Sequence, residues 1–335
     1  MSESIGVELP VVSVVVIGRN EASNLVNTFN AIKKIDYPEE KLELIYVDTN
    51  SSDNSVAIAR EYTNKVFQET SNWPTSGLAR NRGILEAKHE IIHFIDGDIA
   101  IHPDYLKKAV NVLVNLPVVA VTGFFKEIDN KGFFNRIMSI RRDDIKYENH
   151  FCESTNGGGT YKKQVLIELN GYDERILKGQ ETELGYRIRN SGEKIMFINA
   201  LQGLHNFDLN NSIDFLKAKF IYGKSAGFLL KLKNDNNPII RNIKKGAFKT
   251  LINGTFSLCV IIVAFFLQMY LLILLYYAIR LLYILYTGIV LRKKSKRQLL
   301  YNLIQYLFSF ASYLGVVYIL LNPIKPSKKN LFNKQ

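Results

Sequence analysis

The apolar run Ile91-Ile92-His93-Phe94-Ile95 ends abruptly in Asp96-Gly97-Asp98. A run of that length reads as a buried strand. Two carboxylates one residue apart at its tip repel each other, and burying either alone is costly. A divalent cation resolves the conflict. Hard ions such as Mg²⁺ or Mn²⁺ take oxygen ligands and bridge to substrate phosphates. The feature points to a metal–diphosphate site at the C-terminal end of a strand, where open α/β sheets hold their ligands.

The first half of the chain repeats that architecture. Val11–Ile17 is a β-branched run followed by the turn Gly18-Arg19-Asn20-Glu21 and a helix over Ala22–Ile35. Leu42–Val47 is a second strand, ending at Asp48, with a polar stretch behind it that contains Ser52 and Asp53. Either of these caps a helix running to Tyr62. Val66-Phe67 is a short strand, Gly77–Ala87 a helix, and Pro103–Leu116 another. Strands alternating with such helices predict a mostly parallel sheet covered on both faces. The first turn lacks G-x-G-x-x-G, which disfavours a dinucleotide enzyme. Further on, Val118–Phe125 reads as a strand and Asn156–Thr160 as a glycine-rich loop before a helix at Lys163–Leu169. Gly171–Glu174 is a turn, Gly179 opens a helix to Asn190, and Lys194–Ile198 is a strand with His205 shortly after it.

Charge divides the chain. The formal net charge is +12, yet the last acidic residue is Asp235, and fourteen Lys/Arg follow from Arg241 onward. The basicity belongs to the tail, which is also the apolar part. Thr250–Ile279 and Gln298–Ile324 carry no charge, and about 20 apolar residues suffice to span a bilayer as a helix. Basic clusters flank them: Lys244, Lys245 and Lys249; Arg292–Lys294, Lys296 and Arg297; Lys325, Lys328 and Lys329. Such clusters stay cytoplasmic. Membrane-length apolar runs between them argue against nucleic-acid binding. The expected organisation is a polar leader at 1–10, a catalytic domain at 11–235 and a membrane region of two or three spans at 236–335. Thr250–Leu291 reads either as one long helix with a shorter interfacial one or as a tight hairpin. Ser212–Lys233 reads as an amphipathic helix at the membrane surface. Cys152 and Cys259 form no disulfide framework or zinc spacing, which fits a cytosolic catalytic domain. The start has neither the basic flank nor the apolar length of a signal peptide.

Taken in order, Arg19-Asn20-Glu21, Asp48 with Ser52 and Asp53, Ala79-Arg80-Asn81-Arg82-Gly83, Asp96-Gly97-Asp98, the Gly157–Thr160 loop, Gly171-Tyr172-Asp173-Glu174 and Gln180-Glu181-Thr182-Glu183-Leu184 with Arg187 and Gly192 resemble the family-two inverting glycosyltransferases. The resemblance covers about residues 11–230. It implies a GT-A nucleotide-sugar-binding domain followed by C-terminal transmembrane helices. It also implies roles. Asn20, Glu21 and Asp48 fall at the base and ribose end of the donor site, Arg80 beside the donor, and Asp96 near the ribose or metal. Asp98 is the direct metal ligand, and His205 completes the coordination of Mn²⁺ or Mg²⁺. Glu181 occupies the position of the catalytic carboxylate. The family pattern there is Glu-Asp-x-Asp; here each acid is one methylene longer, and Gln180 replaces the first acid.

The function implied is a membrane-anchored, metal-dependent transferase in the cell (inner) membrane, multi-pass, with its catalytic domain cytoplasmic. It moves sugar from a nucleotide donor, a UDP-sugar first, to a cell-envelope, polysaccharide or lipid-linked acceptor. Processive polysaccharide synthases that resemble it carry Gln-x-x-Arg-Trp; this chain lacks that motif, and its one tryptophan is Trp73. A membrane scaffold that keeps the fold without the chemistry is the non-enzymatic alternative. Retention of Asp98 and Glu181 weighs against it.

Overall fold

The computed structural model describes residues 8–127, 148–206, 212–231, 238–266, 270–286 and 296–322. They form two units, one from the described residues up to 206 and one from 212 onward. The basic clusters at 292–294 and 325–329, and the first residues of the leader, lie outside the described residues.

In the first unit, β1 (Val12–Gly18), α1 (Ala22–Ile32), β2 (Leu42–Thr49), α2 (Ser55–Arg60), β3 (Val66–Glu69), α3 (Ser76–Glu86) and β4 (Ile91–Asp96) follow one another as the hydrophobic pattern predicts. Then come β5 (Ile99–Ile101), α4 (Tyr105–Asn115), β6 (Ala120–Glu127), β7 (His150–Phe151), β8 (Thr160–Lys162), α5 (Lys163–Glu168), α6 (Gln180–Asn190) and β9 (Ile195–His205). The sheet order is β3-β2-β1-β4-β8-β6-β9-β5, with β7 also on β9. The block β3-β2-β1-β4 is parallel throughout, and β6 runs parallel to β9. Strand β8 lies antiparallel between β4 and β6, and β5 and β7 run antiparallel to β9. These three short strands were not expected from the sequence, because each is too short to show a period. Strand β9 also reaches His205, well beyond the expected Ile198.

Both sheet faces are buried, which is why the central strands read as continuous apolar runs. Val12, Val14 and Val16 point from β1 into a core shared with Leu25 and Phe29 of α1, Ala59 of α2, and Val110 and Leu113 of α4. Val15 and Ile17 point the other way, into a core with Ala79 and Ile84 of α3, Leu166 of α5, and Leu184 and Ile188 of α6. Helix α3 approaches β1 closely because residue 83 is glycine; a Cβ there would collide with Val15.

The second unit is helical: α7 (Ser212–Leu230), α8 (Pro238–Phe266), α9 (Tyr270–Tyr286), α10 (Lys296–Leu307) and α11 (Ser309–Leu321). Two stretches, Pro238–Val263 and Asn302–Leu321, are long and apolar enough to cross a membrane, and Ile273–Tyr286 is a shorter apolar helix. The expected two-faced pattern of α7 is not observed. Phe215, Phe228 and Leu229 are buried while Ile213, Leu216 and Ile221 are exposed. The helix instead meets α11 through small residues: a Cβ at Gly223 would collide with Ser312, at Gly227 with Val316, and at Gly315 with Phe220. Backbones approach closely where side chains are missing.

Candidate active site

Parallel register gathers the motif residues at one end of the sheet. Gly18 of β1 pairs with Asp48 of β2, and Ile17 pairs with Asp96 of β4. The turns after β1, β2 and β4 therefore emerge side by side, at the edge where such sheets bind ligands.

Asn20 sits at φ +57°, a left-handed conformation that asparagine tolerates better than most residues. Its backbone N–H donates to Ser51 Oγ (2.8 Å), and its side-chain oxygen accepts from the Ser52 N–H (2.7 Å). Glu21 receives the Asn24 side-chain amide at 2.9 Å, and its own N–H donates to Ser55 Oγ at 2.9 Å. Asp48 is fully buried. Its carboxylate accepts from the Ser51 N–H (2.9 Å), the Ser51 hydroxyl (2.5 Å) and the Tyr46 hydroxyl (3.3 Å). Asp53 receives the Ala22 N–H at 3.0 Å and the Ser55 hydroxyl at 2.5 Å. The two loops thus brace each other through short polar side chains.

Arg80 is 1% exposed and forms the hub beneath the carboxylates. Thr75 caps α3 by accepting from the Leu78 N–H (3.0 Å), which starts the helix one turn before Arg80. Its Nη2 donates to Asp96 Oδ1 (2.8 Å) and the Gly157 carbonyl (3.1 Å). The Arg80 Nη1 donates to the Gln180 side-chain oxygen (3.2 Å) and forms an ion pair with Glu181 Oε1 (2.8 Å). The guanidinium also lies 5.3 Å from the Tyr172 ring centroid. Asn81, the next residue, clamps that ring's turn: it accepts from the Tyr172 N–H (2.7 Å) and donates to the Tyr172 carbonyl (2.9 Å) and Glu174 (2.9 Å). Arg80 is therefore committed to the two acids, Gln180 and the glycine loop, and meets the C-terminal end of β4 through Asp96.

Burial pushes the Asp96 carboxyl up; Asp98 and Glu181 push it the same way, and Arg80 opposes them. Burial works against the Arg80 charge, but Asp96 and Glu181 outweigh it and hold its pKa up. Gly157 permits the contact, since a Cβ there would collide with Asp96. The glycine loop is fixed from below. Gln202 accepts from the Gly123 N–H (3.2 Å) and the Asn156 amide (3.0 Å) and donates to the Gly158 carbonyl. Gln202 escaped the sequence reading, and Gln180 was noted only as standing in for the first acid of its motif. Their roles arise from contacts across long stretches of chain, which no local spacing marks.

Asp98 and His205 come together through β5. Ile99 pairs with His205 and Ile101 with Gly203, and the Asn206 N–H donates to the Asp98 carbonyl at 2.9 Å. His205 Nε2 lies 3.1 Å from Asp98 Oδ2. The turn itself is held by the Gly97 N–H on the Ile17 carbonyl (2.8 Å) and the Thr28 hydroxyl on the Gly97 carbonyl (2.8 Å). One carboxylate oxygen and one imidazole nitrogen suit Mn²⁺ or Mg²⁺, which commonly keep other positions for water and phosphate oxygens. Asp96 turns instead toward Arg80, and among the described residues no cluster of three potential ligands forms.

Glu181 lies in the first turn of α6, entered through Gly179 at φ +89°. A carboxylate there is favoured by the helix dipole. Oε1 is taken by Arg80, while Oε2 makes no hydrogen bond among the described residues. The side chain is 21% exposed. Glu183, by contrast, is buried and pairs bidentately with Arg187 at 2.7 and 2.6 Å. Asp173 pairs with Arg175.

A family model described as glycosyl transferase family 2 matches residues 13–168. Glycosyltransferase AglE of Haloferax volcanii is 34% identical over 207 residues, covering 59% of this chain and 67% of that protein. Poly(ribitol-phosphate) beta-N-acetylglucosaminyltransferase TarS of Staphylococcus aureus is 31% identical over 270 residues, covering 68% of this chain and 47% of TarS. The chain thus spans about half the length of TarS. Mannosyltransferase PcManGT from Pyrobaculum calidifontis, solved in complex with GDP-Man and Mn²⁺, has the same fold, with a TM-score of 0.54 and 18% identity over 94% of this chain and 88% of that one. The chain belongs to the family-two glycosyltransferases and has the GT-A fold.

Proposed function

We propose that the protein transfers a sugar, with inversion, from a nucleotide-sugar donor to a hydroxyl acceptor of the cell envelope, with Glu181 as base. The observation that carries this reading is the arrangement around Arg80. One buried guanidinium holds Glu181 by a single oxygen beside the Asp96-Gly97-Asp98 turn. Glu181 Oε2 is left to accept the proton of the incoming hydroxyl. General-base help of this kind is typically worth ~10²–10⁴-fold in rate. Arg80 prevents the base from swinging away and sets a positive charge against the two neighbouring acids.

Asp98 and His205 would hold the divalent ion. When bound, the ion acts as a Lewis acid on the leaving diphosphate. Asn20, Glu21 and Asp48 shape the nucleoside end. The exposed turn of Asn20 offers direct contacts, and buried Asp48 fixes the Ser51 loop. The donor is a UDP-sugar first. The acceptor is a polyol-phosphate polymer, polysaccharide or lipid-linked glycan, in keeping with the acceptor for which TarS is named. The catalytic domain comprises residues 11–235 and faces the cytoplasm. The region 236–335 anchors it in the membrane, supported by apolar side chains left open to the surroundings, among them Phe265, Leu274, Leu282 and Tyr283.

Nucleotide release from a panel of nucleotide sugars, with Mn²⁺, Mg²⁺ or chelator, tests the reading on detergent-purified protein. Release from one donor, lost with chelator and in Asp98→Ala, is expected. Transfer to acceptor falls ~10²-fold or more in Glu181→Gln. No release from any nucleotide sugar refutes it.

A further inference from the structure

Arg280 is the only charged residue of α9, in the sequence Tyr-Tyr-Ala-Ile-Arg-Leu-Leu-Tyr. An ionisable side chain inside an apolar helix is costly and is retained where it has a partner or a polar cavity. The structure gives Arg280 partners without a counter-charge. Its Nη1 donates to Tyr276 Oη at 2.9 Å and to Ser257 Oγ at 3.3 Å. The guanidinium lies 5.6 Å from the Tyr276 ring centroid and 5.4 Å from that of Tyr306. No acidic residue follows Asp235 in the chain, and Arg280 makes no ion pair among the described residues.

Beside it is a cavity of about 240 Å³, lined among others by Asn253, Ser257, Arg280, Tyr306, Ser309 and Tyr313. The Tyr306 hydroxyl is buried and has no hydrogen-bond partner among the described residues. Burying a hydroxyl unsatisfied is unfavourable. A positive charge, several hydroxyls and an orphaned donor around one small void form a site short of an anion. The oxygens of a phosphate take several donors at once and match the fork of arginine. The void is below the usual size of a drug-sized ligand site, too small for a nucleotide sugar. The same helix exposes Leu274, Leu282 and Tyr283, so an alkyl chain attached to the anion would find apolar surface alongside.

We propose that the Arg280 cavity binds the phosphate headgroup of an anionic membrane lipid, with Arg280 and Tyr306 donating to its oxygens. This rests on the reading of α8–α11 as membrane helices. The test is calorimetric titration of the full chain in mild detergent with three probes: dihexanoyl phosphatidic acid, dihexanoyl phosphatidylcholine and inorganic phosphate. The phosphatidic acid binds at least tenfold more tightly than either of the others. Arg280→Gln weakens it at least tenfold, Arg280→Lys less, and Tyr306→Phe several-fold. Donor hydrolysis without acceptor is unchanged in Arg280→Gln. Equal binding of phosphatidic acid and phosphatidylcholine overturns the proposal, as does binding indifferent to Tyr306→Phe, the variant that decides if Arg280→Gln does not fold. Inorganic phosphate binding as tightly as the lipid also overturns it, in favour of a free-anion site. Release of the protein from membranes by alkaline carbonate would remove the anchoring reading separately, whatever the titrations give.

Discussion

Replacing Arg80 by methionine keeps the volume and removes the charge and its donors. The variant leaves Asp96 and Glu181 side by side without the guanidinium now 2.8 Å from each. Removing one partner of a buried ion pair costs about 3–5 kcal/mol. Arg80 is buried, but the Asp96 and Glu181 side chains are 35% and 21% exposed and recover some solvation. The lower end, roughly 3 kcal/mol, applies. A domain of this size shifts by about 2–4 °C per kcal/mol, so Tm should fall by roughly 6–12 °C. Near-UV circular dichroism of the full chain in detergent, with chelator present, measures it. The second arm is Asp96→Asn in the Arg80→Met background. Neutralising one of the two stranded carboxylates should restore about 1 kcal/mol or more, because the sites share a partner and are non-additive. Arg80→Met within about 1 kcal/mol of wild type, or a double variant worse than the single one by the full cost of Asp96→Asn alone, refutes the hub.

His205→Ala and Asp98→Asn should each weaken Mn²⁺-dependent nucleotide release by ~10–100-fold, read as the metal concentration needed for half-maximal rate. Glu43 joins β1 to β2 by accepting from Lys65 (2.6 Å), Ser13 (2.5 Å) and the Lys88 N–H (2.9 Å). Burial raises its pKa, but these donors win and hold it below the usual value. Its stabilisation is therefore present above the unfolded pKa and lost as pH falls; Glu43→Ala should cost roughly 3 kcal/mol at pH 7 in urea unfolding, with a smaller difference in acid. His93 is buried, and burial pushes its pKa down to about 3. The unfolded state then binds the extra proton, so His93 contributes a loss of about 1.4 kcal/mol per unit as pH drops from 6.5 toward 3. His93→Gln, which can keep the hydrogen bond now made to Thr160 at 2.9 Å, should flatten that part of the profile in denaturant titrations from pH 7 to 4.

What the sequence determined was the order of things. Buried parallel strands announce themselves because both faces are apolar, so Val11–Ile17, Leu42–Val47 and Ile91–Ile95 were legible along with the polar turn behind each. The resemblance assigned Asn20, Asp48 and Asp96 to one donor site, and parallel register puts the turns after β1, β2 and β4 at one edge. The long uncharged runs of the tail were equally plain. Only the tertiary structure decided which side chains touch. Strand β5 is three residues long, too short for a period, yet its register on β9 is what sets Asp98 against His205. Arg80 looked like a donor-side residue from its motif. Folding buries it under Asp96 and Glu181, with the Gln180 side chain and the Gly157 carbonyl accepting from its two terminal nitrogens. In the tail, apolar length was visible but not that α7 and α11 meet through glycines, nor that Tyr276, Tyr306 and Ser257 gather on Arg280. Local pattern encodes burial and period, which act residue by residue. Contacts between residues far apart in sequence depend on register and helix approach, which the whole chain sets together.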